Sequence, residues 1–130
     1  MSMPTHFIKF RIWDKQNNRW APTSNNCAIF PNGEVYCLNG NTVTEYVEIQ
    51  QFTGLKDKNG VDIYEGDILS TFRFSPDIRH NGIVKFIGSS FRVEHKLLGS
   101  VQLDLFVGGS NLAKDFTIIG NIFENPELLS

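Results

Sequence analysis

Apolar and polar residues alternate along much of the chain with a period of two rather than the helical 3.6, the pattern of strands that bury one face. Val101, Leu103, Leu105 and Val107 fall on one side of one segment, and Ile68, Ser70, Phe72 and Phe74 on one side of another. The pattern predicts strands over His6–Trp13, Ala28–Phe30, Glu34–Leu38, Val43–Phe52, Asp67–Phe74, Gly82–Ile87, Phe91–His95, Val101–Val107 and Phe116–Phe123. Asn-Gly recurs between them at Asn32-Gly33, Asn39-Gly40, Asn59-Gly60 and Asn81-Gly82. Segments Asn17–Asn26 and Ser75–Asn81 are polar and turn-rich, as surface loops are. Helical signals are short. Ser110 caps a turn or two after Gly108-Gly109, and Asn125 precedes Pro126-Glu127-Leu128-Leu129, placing a proline at the first helical position. The expected fold is mainly β, a small bent sheet or barrel with one or two short helices near the C-terminus. An open sheet of this size would leave its edges unprotected.

The densest stretch is Gln50–Leu69. Asn59-Gly60 predicts a two-residue type I′ turn, because both loop positions then need positive φ. That register sets Lys58 against Val61, Lys56 against Ile63 and Leu55 against Tyr64, the last a cross-strand pair of about 0.2–1 kcal/mol. Next, Gly66 in Glu65-Gly66-Asp67 can take a conformation closed to other residues, and Asp67 can accept a hydrogen bond from a nearby amide. No His or Cys adjoins these carboxylates, so they are assigned to the turn rather than to a metal site or an acid/base pair.

Composition narrows the function classes. A chain of 130 residues is one domain's length. Fourteen acidic against twelve basic side chains leave a net charge of −2, so the global field does not draw nucleic acid or anionic membrane. No apolar run approaches a membrane span and the N-terminus lacks the pattern of a signal peptide, so the protein is expected to be cytoplasmic. The 11 Phe residues are assigned to a core before a base-stacking surface. A two-residue turn at Asn32-Gly33 would pair Ala28 with Cys37 and Cys27 with Leu38. The two cysteines then lie on opposite faces and are expected to stay reduced.

Three segments carry a family resemblance. They are Lys9-Phe10-Arg11-Ile12-Trp13-Asp14-Lys15; Gln51-Phe52-Thr53-Gly54-Leu55-Lys56-Asp57-Lys58-Asn59-Gly60 continuing through Ile63-Tyr64-Glu65-Gly66-Asp67-Ile68; and Ile119-Gly120-Asn121-Ile122-Phe123-Glu124-Asn125-Pro126-Glu127-Leu128. In this order the chain resembles the YopX family of phage and prophage proteins. The resemblance implies one small β-rich domain over residues 1–130, encoded by a phage or prophage and residing in the host cytoplasm. It brings no activity, since the family has no established biochemical function or catalytic residues. Its motif positions Gly54, Asn59, Gly60, Glu65, Gly66, Asp67, Gly120, Asn121 and Pro126 are expected to be structural.

Three function classes follow. A non-catalytic interaction protein, acting on a host or phage protein or assembling with itself through strand edges or Leu128-Leu129, needs only these structural signals. A barrel-type nucleic-acid module would use the basic and aromatic cluster Phe72, Arg73, Phe74, Arg79, His80, Lys85, Arg92 and Lys96; the negative net charge makes it the less favoured reading. An enzyme would need an assembled site. His6, His80 and His95 are scattered in sequence, and neither Ser89-Ser90 nor Gly108-Gly109-Ser110 has a visible base. No enzyme, metal or cofactor is expected.

Overall fold

The computed structural model describes residues 9–21, 28–36, 46–71, 77, 80–95, 99–103 and 116–129. The chain forms two compact units, Phe10–Gln50 and Met1–Lys9 with Gln51–Ser130. The strand β5 (Val47–Lys56) contributes residues to both.

In the smaller unit, β1 (Phe10–Asp14) pairs antiparallel with β2 (Arg19–Trp20). Trp13 faces Trp20 with ring centroids 4.9 Å apart, edge to face, and the Arg11 guanidinium sits 4.2 Å from the Trp20 ring centroid. Asp14 tightens the connecting turn by accepting the backbone N–H groups of Gln16 and Asn17. β2 lies in a segment expected to be loop, where the aromatic pairing outweighs a polar local composition. β3 (Ala28–Ile29) and β4 (Val35–Tyr36) form a short second ribbon.

The larger unit holds a five-stranded antiparallel sheet of order β10-β9-β8-β7-β11. Its strands are β7 (Asp67–Thr71), β8 (His80–Ile87), β9 (Ser90–His95), β10 (Gly99–Gln102) and β11 (Phe116–Asn121). The same unit contains β6 (Asp62–Tyr64), paired with the end of β5. Leu69, Val84, Val93 and Phe116 on the sheet, with Ile63 and Leu103, form the core, and Leu55, Phe91 and Ile118 pack on it. A Cβ at Gly82 would collide with Val93 Cγ1, so only glycine lets β8 and β9 approach this closely. One 3-10 turn, η1 (Pro126–Leu129), closes the described chain. The protein is mainly β with a short helix near its C-terminus, as expected; the segment around Ser110 lies outside the described residues.

Two registers differ from expectation for one reason. Gly60 N–H donates to Asp57 O at 2.9 Å and Asp57 N–H to Val61 O at 2.8 Å, so the loop has three residues, Lys58-Asn59-Gly60. Gly60 has φ +80° and Asn59 is not among the residues with positive φ, the arrangement of a type I turn followed by a left-handed glycine. Lys56 therefore faces Asp62 rather than Ile63, and Lys58 does not pair with Val61. The register then shifts, and Tyr64 faces Phe52 instead of Leu55, with ring centroids 5.6 Å apart. Gly54, at φ +89°, stands in the irregular segment, where Thr53 Oγ1 donates to Ile63 O and accepts Leu55 N–H. At Asn32-Gly33, Gly33 N–H donates to Phe30 O and Phe30 N–H to Glu34 O. Ala28 accordingly faces Tyr36 and Ile29 faces Val35, one residue away from the expected register. The premise that set Cys27 and Cys37 on opposite faces is overturned; both cysteines lie outside the described residues.

Candidate functional site

The acidic and amide groups of the motif segments bind the chain's own backbone. Asp57 is 6% exposed. Its Oδ1 accepts the N–H groups of Asn59 and Val61, and its Oδ2 accepts Ile118 N–H at 3.1 Å. With Lys58 N–H donating to Phe116 O at 3.0 Å, the loop after β5 is fastened to β11. Sequence reasoning passed over Asp57; its place three residues before a left-handed glycine was the available signal.

The Glu65-Gly66-Asp67 corner is held in the same manner. Glu65 Oε1 accepts Gln51 N–H at 2.9 Å, and Asp67 Oδ2 accepts Tyr64 N–H at 2.8 Å. Gly66, at φ +83°, donates its N–H to Val84 O. Asp67 and Asn121 face each other across β7 and β11, both buried. Asn121 Nδ2 donates to Asp67 Oδ1 at 3.4 Å, and its Oδ1 accepts Phe123 N–H. β11 shifts register between Ile118 and Gly120. A Cβ at Gly120 would come within 2.6 Å of Asn125 Oδ1, the atom that accepts Asn121 N–H at 3.3 Å. Pro126 then opens η1.

Side chains open to outside contacts include a group on β8, β9 and β10. Gly88 and Ser89 make a true two-residue turn, with Ile87 facing Ser90 and positive φ at Gly88 alone, as in a type II′ turn. Phe86 and Phe91 meet edge to face at 4.9 Å near this tip. Phe86 is nevertheless 49% exposed and Ile87 41%.

Behind the tip, Lys85 faces Arg92. Lys85 Nζ pairs with Glu94 Oε2 at 2.6 Å, and Arg92 Nε donates to Ser100 Oγ and its Nη2 to Ser100 O. Ile83, Lys85, Glu94, His95, Ser100 and Leu129 line a groove of about 410 Å³. Of the expected nucleic-acid contacts, the fold brings Lys85 and Arg92 together, with Glu94 of β9 paired to Lys85. Phe72, Arg73, Arg79 and Lys96 lie outside the described residues, as does Phe74.

The sheet also joins two histidines that are far apart in sequence. His80 Nδ1 lies 3.1 Å from His95 Nε2, and their ring centroids are 4.9 Å apart. Burial lowers the His95 pKa below its ordinary value, and His80 lowers it further. Extending β8 back through Asn81 to His80 brings the pair together, and that extension fell in a segment expected to be loop. Among the described residues, no three His, Cys, Asp or Glu side chains gather where they could hold a metal ion, and no helix is long and apolar enough to cross a membrane.

Comparisons with known proteins agree with this architecture. The chain is similar in structure to protein EF1440 from Enterococcus faecalis, with TM-score 0.61 and 29% identity over 95% of this chain and 99% of that one. It is similar also to protein yopX from Bacillus subtilis, with TM-score 0.61 and 17% identity over 93% of this chain and 95% of that one. No curated protein sequence matches it. The YopX protein family matches residues 9–130, and with nearly the whole length covered the chain belongs to that family.

Proposed function

We propose that this chain is a non-catalytic interaction module of phage or prophage origin, working in the host cytoplasm by docking on a host or phage protein or on a second copy of itself. The observation that carries the reading is the exposed apolar tip of the β8–β9 hairpin, Phe86 and Ile87, with Phe86 braced edge to face on the partly buried Phe91, in a chain whose conspicuous carboxylates are hydrogen-bonded to its own backbone. Exposed aromatic groups anchor protein interfaces because they bury large area at low entropic cost. Light scattering together with affinity capture from induced host cells tests the reading, using the natural chain and Phe86→Asp. An apparent mass above one chain, or a stoichiometric partner, should be present with the natural sequence and lost in the variant. A lone chain that captures nothing, or contacts unaffected by Phe86→Asp, would overturn it.

A second reading rests on Lys85 and Arg92 standing opposite each other. Two adjacent cations on a sheet face suit a phosphate backbone, and such binding weakens steeply with salt. Both cations already have partners within the chain, which favours the first reading. Filter binding at low salt decides the matter, since absence of salt-dependent retention of single strands removes the nucleic-acid reading.

A further inference from the structure

We propose that His80 and His95 form a two-imidazole chelate for a borderline divalent transition-metal ion such as Zn²⁺. The rings extend from neighbouring antiparallel strands, β8 and β9, with His80 Nδ1 and His95 Nε2 turned toward each other at 3.1 Å. Zinc–imidazole bonds are about 2.0–2.1 Å long, so two nitrogens on one tetrahedral zinc lie roughly 3.3–3.4 Å apart. The observed separation falls a few tenths of an ångström short of that value, and chelation requires each ring to turn so that its lone pair meets an ion lying to one side of the line between the two nitrogens.

Hydrogen-bonded strands fix both backbones, so the ordering required when the ion arrives is confined to the two side chains. In the metal-free pair one of these nitrogens carries the proton of an N–H···N hydrogen bond. Binding moves that proton to the other nitrogen of the same ring, and both lone pairs then face the metal. No net proton is released from the neutral pair. Two protein ligands leave the remaining zinc positions to water or to an outside donor, unlike a structural site closed by four side chains.

The test uses the untagged full-length chain, stripped with chelator and titrated with Zn²⁺ near neutral pH by calorimetry. Long-range nitrogen–proton spectra of the imidazoles are recorded in parallel. One Zn²⁺ per chain should bind, with the ring nitrogens of His80 and His95 shifting together. Either His80→Asn or His95→Asn should weaken binding by more than about tenfold, since loss of even a second-shell partner costs about 10- to 100-fold. His6→Asn should leave it unchanged. Equal binding by the natural chain and both variants, or ring signals of the pair unmoved at saturating Zn²⁺, would overturn the site. If a variant fails to fold, the ring spectra of the natural chain decide alone.

Discussion

Gly60 and Gly82 are required for different reasons, and their substitutions should behave differently. At Gly60 a side chain would meet nothing within 4 Å, but φ is +80°, so Gly60→Val should cost about 1–3 kcal/mol in backbone strain alone. Its melting temperature should drop by several degrees, and an unchanged value would show that the loop does not hold this conformation. At Gly82 the obstacle is Val93 Cγ1, so Gly82→Ala should cost about 1–3 kcal/mol through overpacking. Val93→Ala in the same chain should recover part of that loss, as measured by denaturant midpoints of the single and double variants. The placement of Asn59-Gly60 in a tight bend was legible from the two residue types. Its length was not, because Asn-Gly serves both the two-residue type I′ loop and the three-residue loop with a left-handed glycine.

Along the elements, periodicity located most strands but not the contacts between them. Lys85 and Arg92 meet, and His80 reaches His95, only through the register set by Gly88-Ser89, a turn that no Asn-Gly announces. Asp67 and Asn121 stood out as motif residues, whereas their direct opposition across β7 and β11 depends on sheet order, which period-two alternation does not carry. The closing turn η1 was expected to lie either on the protomer's own core or at a subunit contact. Leu129 lines the groove with Ile83 of β8, so deleting Pro126 onward should lower stability with no change of apparent mass. A folded chain that retained its stability and lost a higher assembly state would place the leucines at a subunit contact instead.

On the acid side, two described groups of the larger unit shape its pH response. Asp62 is held below the ordinary carboxyl pKa by its hydrogen bonds to Lys56 and Lys9, with their charges adding to the effect. A carboxyl depressed in the folded state adds stability above its unfolded pKa, near 3.8, and loses it as pH falls through the lower folded value. His95 is likewise depressed by burial and by His80, but it is a base: folding favours its neutral form, so its contribution is complete above about 6.5 and declines as pH falls toward the folded value. Metal-free protein should therefore lose stability in two stages on acidification, the first below about pH 6.5 and the second below about pH 4. His95→Asn should abolish only the first stage in chemical denaturation series. The mainly β character and the family were readable from alternation and from three motif segments. The histidine pair was not, because two residues 15 apart become neighbours only once β8 is extended beyond its apolar stretch.

The Asp57 fastening joins residues 61 apart in sequence, whereas the β8–β9 turn joins immediate neighbours, and this difference bears on the order of folding. Local hairpins close early, and contacts across long loops form only after most of their closure entropy has been lost. Replacing Asp57 by Ala removes an acceptor from three backbone amides at a cost of about 1–3 kcal/mol. The long-range share of that loss, at Ile118 N–H, should appear as faster unfolding with the refolding arm of the chevron nearly unmoved, whereas the share at the local amides of Asn59 and Val61 divides between the two arms. A slower refolding rate of matching size would instead place the loop and β11 in the folding nucleus.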